Sequence, residues 1–262
     1  NSGTQTSPVK SLEKAQVLIR LARQNQKNSA ITVFVEDGIY PLEKPFVMTS
    51  EESGTEKYSV VIKASGKAKP IFTGSRELNN WQQLKDMATL NRLSAEAKGK
   101  VFVTDLKKVG ISDFGDPIEP GNRPELFCNG QMQTLARWPN SDFAKAGLVK
   151  GQTQLPPTFK NRKGTKEGIF EYTNNRQSRW ASEPEVFLGG YWFWDWADEF
   201  QKVAKVDTLS KILHLAEPYH HYGFKDSLRY FGLNLFCEID QPGEWYLNRT
   251  EGILYWYPPV GV

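Results

Sequence analysis

Between Gly189 and Phe200 the chain reads GGYWFWDWADEF. Aromatic side chains occupy Tyr191 to Trp194 and recur at Trp196, and three acids, Asp195, Asp198 and Glu199, lie among and after them. Two chemistries use such residues. Indole rings that face water stack on the apolar faces of sugar rings, and two carboxylates can act as acid and base across a glycosidic bond. In an extended strand Trp192, Trp194 and Trp196 share one face, and Tyr191, Phe193 and Asp195 share the other. A strand with rings on both faces is most simply explained as core between two layers, each ring contributing about 150 to 250 Å² of burial. The acids that end the run are then solvated or paired with neighbours such as Lys202.

A second cluster lies in EPYHHYGFKDSLRYF. His220 and His221 are adjacent, so on a strand they face opposite ways and cannot easily ligate one metal, whereas on a turn they could. His214 is the remaining histidine, and neither a metal nor a cofactor is expected. Imidazole and phenol both donate to hydroxyls, so a rim of His220, His221 and Tyr222 opposite Trp192, Trp194 and Trp196 is the candidate carbohydrate contact. A turn held by its own hydrogen bonds is the simpler alternative for the histidines. In DQPGEWYLNRTEG the acids Asp240 and Glu244 are close, but Gln241-Pro242-Gly243 is a turn signal and Trp245 opens a hairpin strand. No phosphate loop, serine nucleophile elbow or kinase signature is present. No catalytic residue is assigned.

The elements that must position these clusters are mostly short strands. SLEKAQVLIRLARQNQ places Leu12, Ala15, Leu18, Ile19 and Ala22 at helical spacing behind a capping Ser11, which predicts one amphipathic helix over about 10–26. Short apolar runs separated by turn residues follow over 31–76, with no helices between them, which excludes a doubly wound sheet. Residues 77–100 are charged and read as a junction. From Val101 hairpins dominate. LFCNGQMQTLARW carries Asn129-Gly130 between apolar strands, and VAKVDTLSKILHL and EWYLNRTEGILYWYPP are further strand, turn, strand units. Residues 147–168 form a long polar connection.

The 262 residues include 33 basic and 30 acidic side chains, scattered rather than blocked, for a net charge of +3, so nucleic acid is not expected as a partner. Charged residues are 24% and hydrophobic ones 39%, an ordinary globular balance, and no run approaches the roughly 20 apolar residues of a membrane span. Aromatics at 13% lean weakly towards sugar handling. Cys128 and Cys237 make no disulfide framework; two buried free thiols and one bridge both stay open. The start, NSGTQTSP, reads as trimmed.

GTQTSPVKSLEKAQ, DGIYPLEKPFVMTSEESGT, VVIKASGKAKPIFTGS and DQPGEWYLNRTEGILYWYPP, in this order, resemble the N-terminal part of secreted bacterial right-handed parallel β-helix proteins that include glycoside hydrolase family 141. In that family an inserted β domain interrupts the first coils. The resemblance implies a mainly β fold. Residues 1–100 would hold the N-terminal helix, the first β-helix coils and the junction; 101–257 an inserted antiparallel β domain and the return; and 258–262 a truncated end. It also implies polysaccharide or oligosaccharide as partner, a secreted, periplasmic or cell-surface location, and catalytic acids on later coils beyond Val262. The chain is then the non-catalytic N-terminal portion of a glycan-degrading protein. The alternatives are a stand-alone carbohydrate-binding module and a structural cap over an open β-helix end.

Overall fold

A computed structural model describes residues 1–26, 28–156 and 163–262 of the chain. It is mainly β and mostly antiparallel, and divides into two compact units, Asn1–Glu77 and Leu78–Val262. Among the described residues no helix is long and apolar enough to cross a membrane.

The first unit opens with α1 (Leu12–Asn25), where the Ser11 hydroxyl accepts the Lys14 N–H at 3.3 Å and so satisfies one of the donors a helix start leaves free. Ala15 and Ile19, one turn apart, are its buried residues. Strands β1 (Ile31–Val35), β2 (Ile39–Pro41), β3 (Val60–Ala64) and β4 (Ile71–Thr73) follow. They pair as two short parallel ladders, β1 with β3 from Ile31↔Val60 and β2 with β4 from Ile39↔Ile71. Glu52 is fully buried in this unit, and the charge is met by the Arg20 guanidinium and by the N–H and hydroxyl of Thr49.

The second unit begins with β5 (Gln82–Gln83), the one-turn α2 (Met87–Leu90), β6 (Phe102–Asp105), β7 (Phe127–Cys128), β8 (Gln131–Met132), β9 (Thr134–Leu135) and β10 (Arg137–Trp138). It continues through β11 (Ala144–Val149), β12 (Gly164–Thr165), β13 (Ile169–Tyr172), β14 (Phe187–Tyr191), β15 (Asp198–Asp207) and β16 (Ile212–Leu215). It ends with β17 (Phe224–Lys225), β18 (Arg229–Leu233), β19 (Glu244–Asn248) and β20 (Ile253–Trp256). The Asn129-Gly130 turn has φ of 50° and 75°, which joins β7 to β8 as that dipeptide demands. The other two expected hairpins are β15–β16 and β19–β20. Part of the long polar connection, 157–162, lies outside the described residues.

Two sheets organise this unit. In the first, β18, β11, β13, β16, β15 and β14 pair in ring order and β14 pairs back to β18, which closes a six-stranded barrel, and β10 adds to β18 as a seventh strand. Register shifts in β11 and β15 supply local bending. Phe170, Tyr172, Leu188, Leu213 and Tyr230 alternate into its core, where Trp180 and Trp192 are fully buried. The second is a five-stranded sheet ordered β5-β6-β20-β19-β9, antiparallel except where β9 runs parallel to β19. Both cysteines are free thiols, Cys237 buried and Cys128 half-buried, and burial pushes the Cys237 thiol pKa far up.

Candidate functional site

The aromatic run does not form one strand. β14 ends at Tyr191, whose partners are Asp198 on β15 and Arg229 on β18, so residues 192–197 become the hairpin loop between β14 and β15. Loop geometry cancels the period of two, and the three indoles that the sequence places on one face separate. Trp192 turns into the barrel against Phe170 and Phe224, and its Nε1–H donates to the Glu199 carbonyl at 3.1 Å. Phe193 is buried as well, with its ring over Gly164, where a Cβ would come within 2.8 Å of it. Trp194 is half-buried and Trp196 is 67% exposed, their ring planes 13° apart with centroids at 6.5 Å.

The histidine turn meets this loop. Gly223 donates its N–H to the His220 carbonyl at 2.9 Å, and its φ of 74° closes the turn. His220 is buried with Nδ1 at 3.3 Å from the Gly223 carbonyl and Nε2 at 3.6 Å from the Glu199 carboxylate. It therefore braces the turn from inside. His221 and Tyr222 are exposed, their rings 5.1 Å apart, and Tyr222 meets Trp196 edge-on at 5.3 Å. Of the six candidate residues, Trp194, Trp196, His221 and Tyr222 assemble at the surface, while Trp192 and His220 lie beneath them.

The acids each have a local role. Asp195 is 3.2 Å from Arg229 and 3.4 Å from Lys225; burial works against its charge, yet these cations hold its pKa below the ordinary range. Neither cation is adjacent in sequence, so the spacing gave no signal for the pair. Glu199 accepts from the Gln201 amide at 2.8 Å. Lys202, expected beside the loop acids, pairs with Glu185 instead, because the strand carries it away from them. Asp240 accepts from Arg176 at 2.5 Å and from Asn140 at 2.7 Å. Glu244 is buried and accepts the N–H groups of Asp240 and Gln241 at 2.8 and 3.2 Å.

A shelf of two near-parallel indoles and an exposed phenol, flanked by Asp195 and its cations, offers apolar ring faces beside hydrogen-bonding groups. No protein-family model and no curated protein matches the chain. A solved structure described as a glycoside hydrolase is similar to it, with a TM-score of 0.72 at 20% identity. That likeness covers 100% of this chain and 42% of that chain, and it shows a glycoside hydrolase-like fold.

Proposed function

We propose that the chain is the N-terminal, non-catalytic portion of a secreted, glycan-degrading protein of glycoside hydrolase type, and that Trp194, Trp196 and Tyr222 form its glycan-contacting rim. The observation that carries this reading is the 67% exposure of Trp196 in a hairpin loop whose other rings are half-buried or interior. A large ring left in water beside a second, near-parallel ring is a feature that core packing does not require. The full-length likeness to a chain more than twice as long supports the placement within a larger protein. The ladders β1–β3 and β2–β4, with Phe34, Ile39, Ile71 and Phe72 exposed beside them, fit parallel β-helix coils on which further coils would stack. A polymeric glycan as partner fits an extracellular, periplasmic or cell-surface setting.

Affinity electrophoresis of the 262-residue chain through gels containing pectic, xylan or host-type glycans tests the rim. Retardation in one of these gels, lost in Trp196→Ala and Tyr222→Ala variants that keep the wild-type melting temperature, is the expected result. Migration unaffected by every glycan, or retardation that both variants retain, overturns it.

A further inference from the structure

A second concavity, which shares no residue with the rim, lies on the outer face of the barrel. It begins at Gly189, which faces Phe200 on β15 and Phe231 on β18 in register. A Cβ at this position would lie 2.5 Å from the Phe231 ring and 2.8 Å from that of Phe200, so glycine lets the two rings close over it, edge to face with centroids 6.1 Å apart. Each ring carries a guanidinium. Arg137 sits 3.9 Å from the Phe231 centroid and Arg123 4.2 Å from that of Phe200. The space they border is about 280 Å³, and Met132, Leu135 and Trp245 also line it.

The charge in this space is not neutralised by contact. Arg137 is fixed by donating from Nε to the Pro139 carbonyl at 2.8 Å and from a terminal nitrogen to the Asp142 carbonyl at 2.9 Å, both uncharged acceptors. Among the described residues neither Arg123 nor Arg137 forms an ion pair with a carboxylate. Glu125 also lines the space and Glu244 attracts Arg137 from a distance, so the lining keeps both cations against a single carboxylate of its own. A guanidinium stacked on an aromatic ring keeps N–H donors at its edge, and those of Arg123 and of the second terminal nitrogen of Arg137, which donate to no group among the described residues, suit a carboxylate. Rings and aliphatic side chains around it suit the apolar face of a sugar, and the volume is at the small end of ligand pockets, suited to about one ring.

We propose that this pocket binds one carboxylate-bearing sugar ring, a uronate, with Arg123 and Arg137 on the carboxylate and Phe200, Phe231 and Trp245 along the ring. The sugar scaffold rests on the glycan reading above, whereas the anionic group rests on the two arginines. Specificity then divides within the second unit: the aromatic rim takes sugar faces of any charge, and this pocket selects acidic ones.

Calorimetric titration of the 262-residue chain with tri-galacturonate, neutral galactotriose and a sulfated galactotriose tests it. Arg123 is the residue to change, since it is exposed, stacks on Phe200 and, among the described residues, forms no ion pair and no side-chain hydrogen bond, so Arg123→Gln is expected to fold as the wild type does by near-ultraviolet circular dichroism. Tri-galacturonate should bind at least about tenfold more tightly than the neutral trimer, the discrimination of one charged hydrogen-bonding group. Arg123→Gln should remove that preference, added salt should weaken it, and Trp196→Ala should leave it in place. Equal binding of acidic and neutral trimers, an unchanged preference in Arg123→Gln, preference for the sulfated trimer alone, or no binding of tri-galacturonate each overturns the pocket. Neutral glycan retained through Trp196 alongside any of these would leave the rim standing, and an Arg123-dependent uronate preference with neutral-trimer binding that Trp196→Ala does not weaken would remove the rim and keep the pocket.

Discussion

The carboxylate of Glu244 lies buried beneath the turn that begins at Asp240, with Oε2 accepting the Asp240 and Gln241 N–H groups at 2.8 and 3.2 Å. Burial raises its pKa from 4.5 to about 7, against the backbone N–H groups of Asp240, Gln241 and Arg137, which favour the charged form. The folded state therefore holds this proton where the unfolded chain has released it. The contribution of this group to stability is full below about pH 4.5 and is lost as pH rises to about 7, by up to about 3 kcal/mol at 1.36 kcal/mol per pH unit. Urea denaturation from pH 4.5 to 7.5 should show that decline, and Glu244→Gln should flatten it. A wild-type midpoint that rises over this window, or a variant with the same slope, would contradict the assignment.

The Phe200 and Phe231 rings leave no room for a methyl group on Gly189, where a Cβ would stand 2.5 Å from Phe231 and 2.8 Å from Phe200. Gly189→Ala must displace two rings and the guanidiniums stacked on them. A loss of about 1–3 kcal/mol is expected, as for other overpacked sites. A variant as stable as the wild type would mean that the rings part freely.

How much of this was legible in the sequence depended on how local each feature is. Asn129-Gly130 and the Ser11 cap carry their geometry within a few residues, and both appear where the sequence puts them. The fate of Trp192, Trp194 and Trp196 turned on where β14 stops, and that is set by its register with β15 and β18, strands up to about forty residues away in sequence. Alternation predicted one face; the hairpin loop produced three environments. Barrel closure is similarly nonlocal, since β18 joins β14 and β11 across the whole unit. The Arg123 and Arg137 pair left no sequence signal because each stacks on a ring from a strand distant in sequence, Phe200 on β15 and Phe231 on β18.

Those three environments predict opposite outcomes for two chemically identical substitutions. Trp192→Ala empties a fully buried site between Phe170 and Phe224 and should cost about 3–5 kcal/mol. Trp196→Ala removes a mostly exposed ring and should shift the melting temperature little while reducing glycan retardation. Thermal melts of both variants decide the matter, and equal destabilisation would mean that the loop packs as core throughout.

The isolated chain should turn over no glycan. Hydrolysis needs two carboxylates about 5–5.5 Å or 6.5–9.5 Å apart across a bound sugar, with one able to give up a proton at working pH. Asp195 is held charged by Lys225 and Arg229, Asp240 is occupied by Arg176 and Asn140, and Glu244 is sealed under its own turn. Of the acids close in sequence in the aromatic run and the Asp240 turn, that leaves Asp198 and Glu199, adjacent on β15 and so directed to opposite faces, with Glu199 drawn towards His220 and Gln201. Incubation with pectic, xylan and host-type polysaccharides should release neither reducing ends nor unsaturated products. Turnover that disappears in Asp198→Asn or Glu199→Gln would show instead that the hairpin beside the rim is itself an active site, and that the strand directs both acids to one sugar.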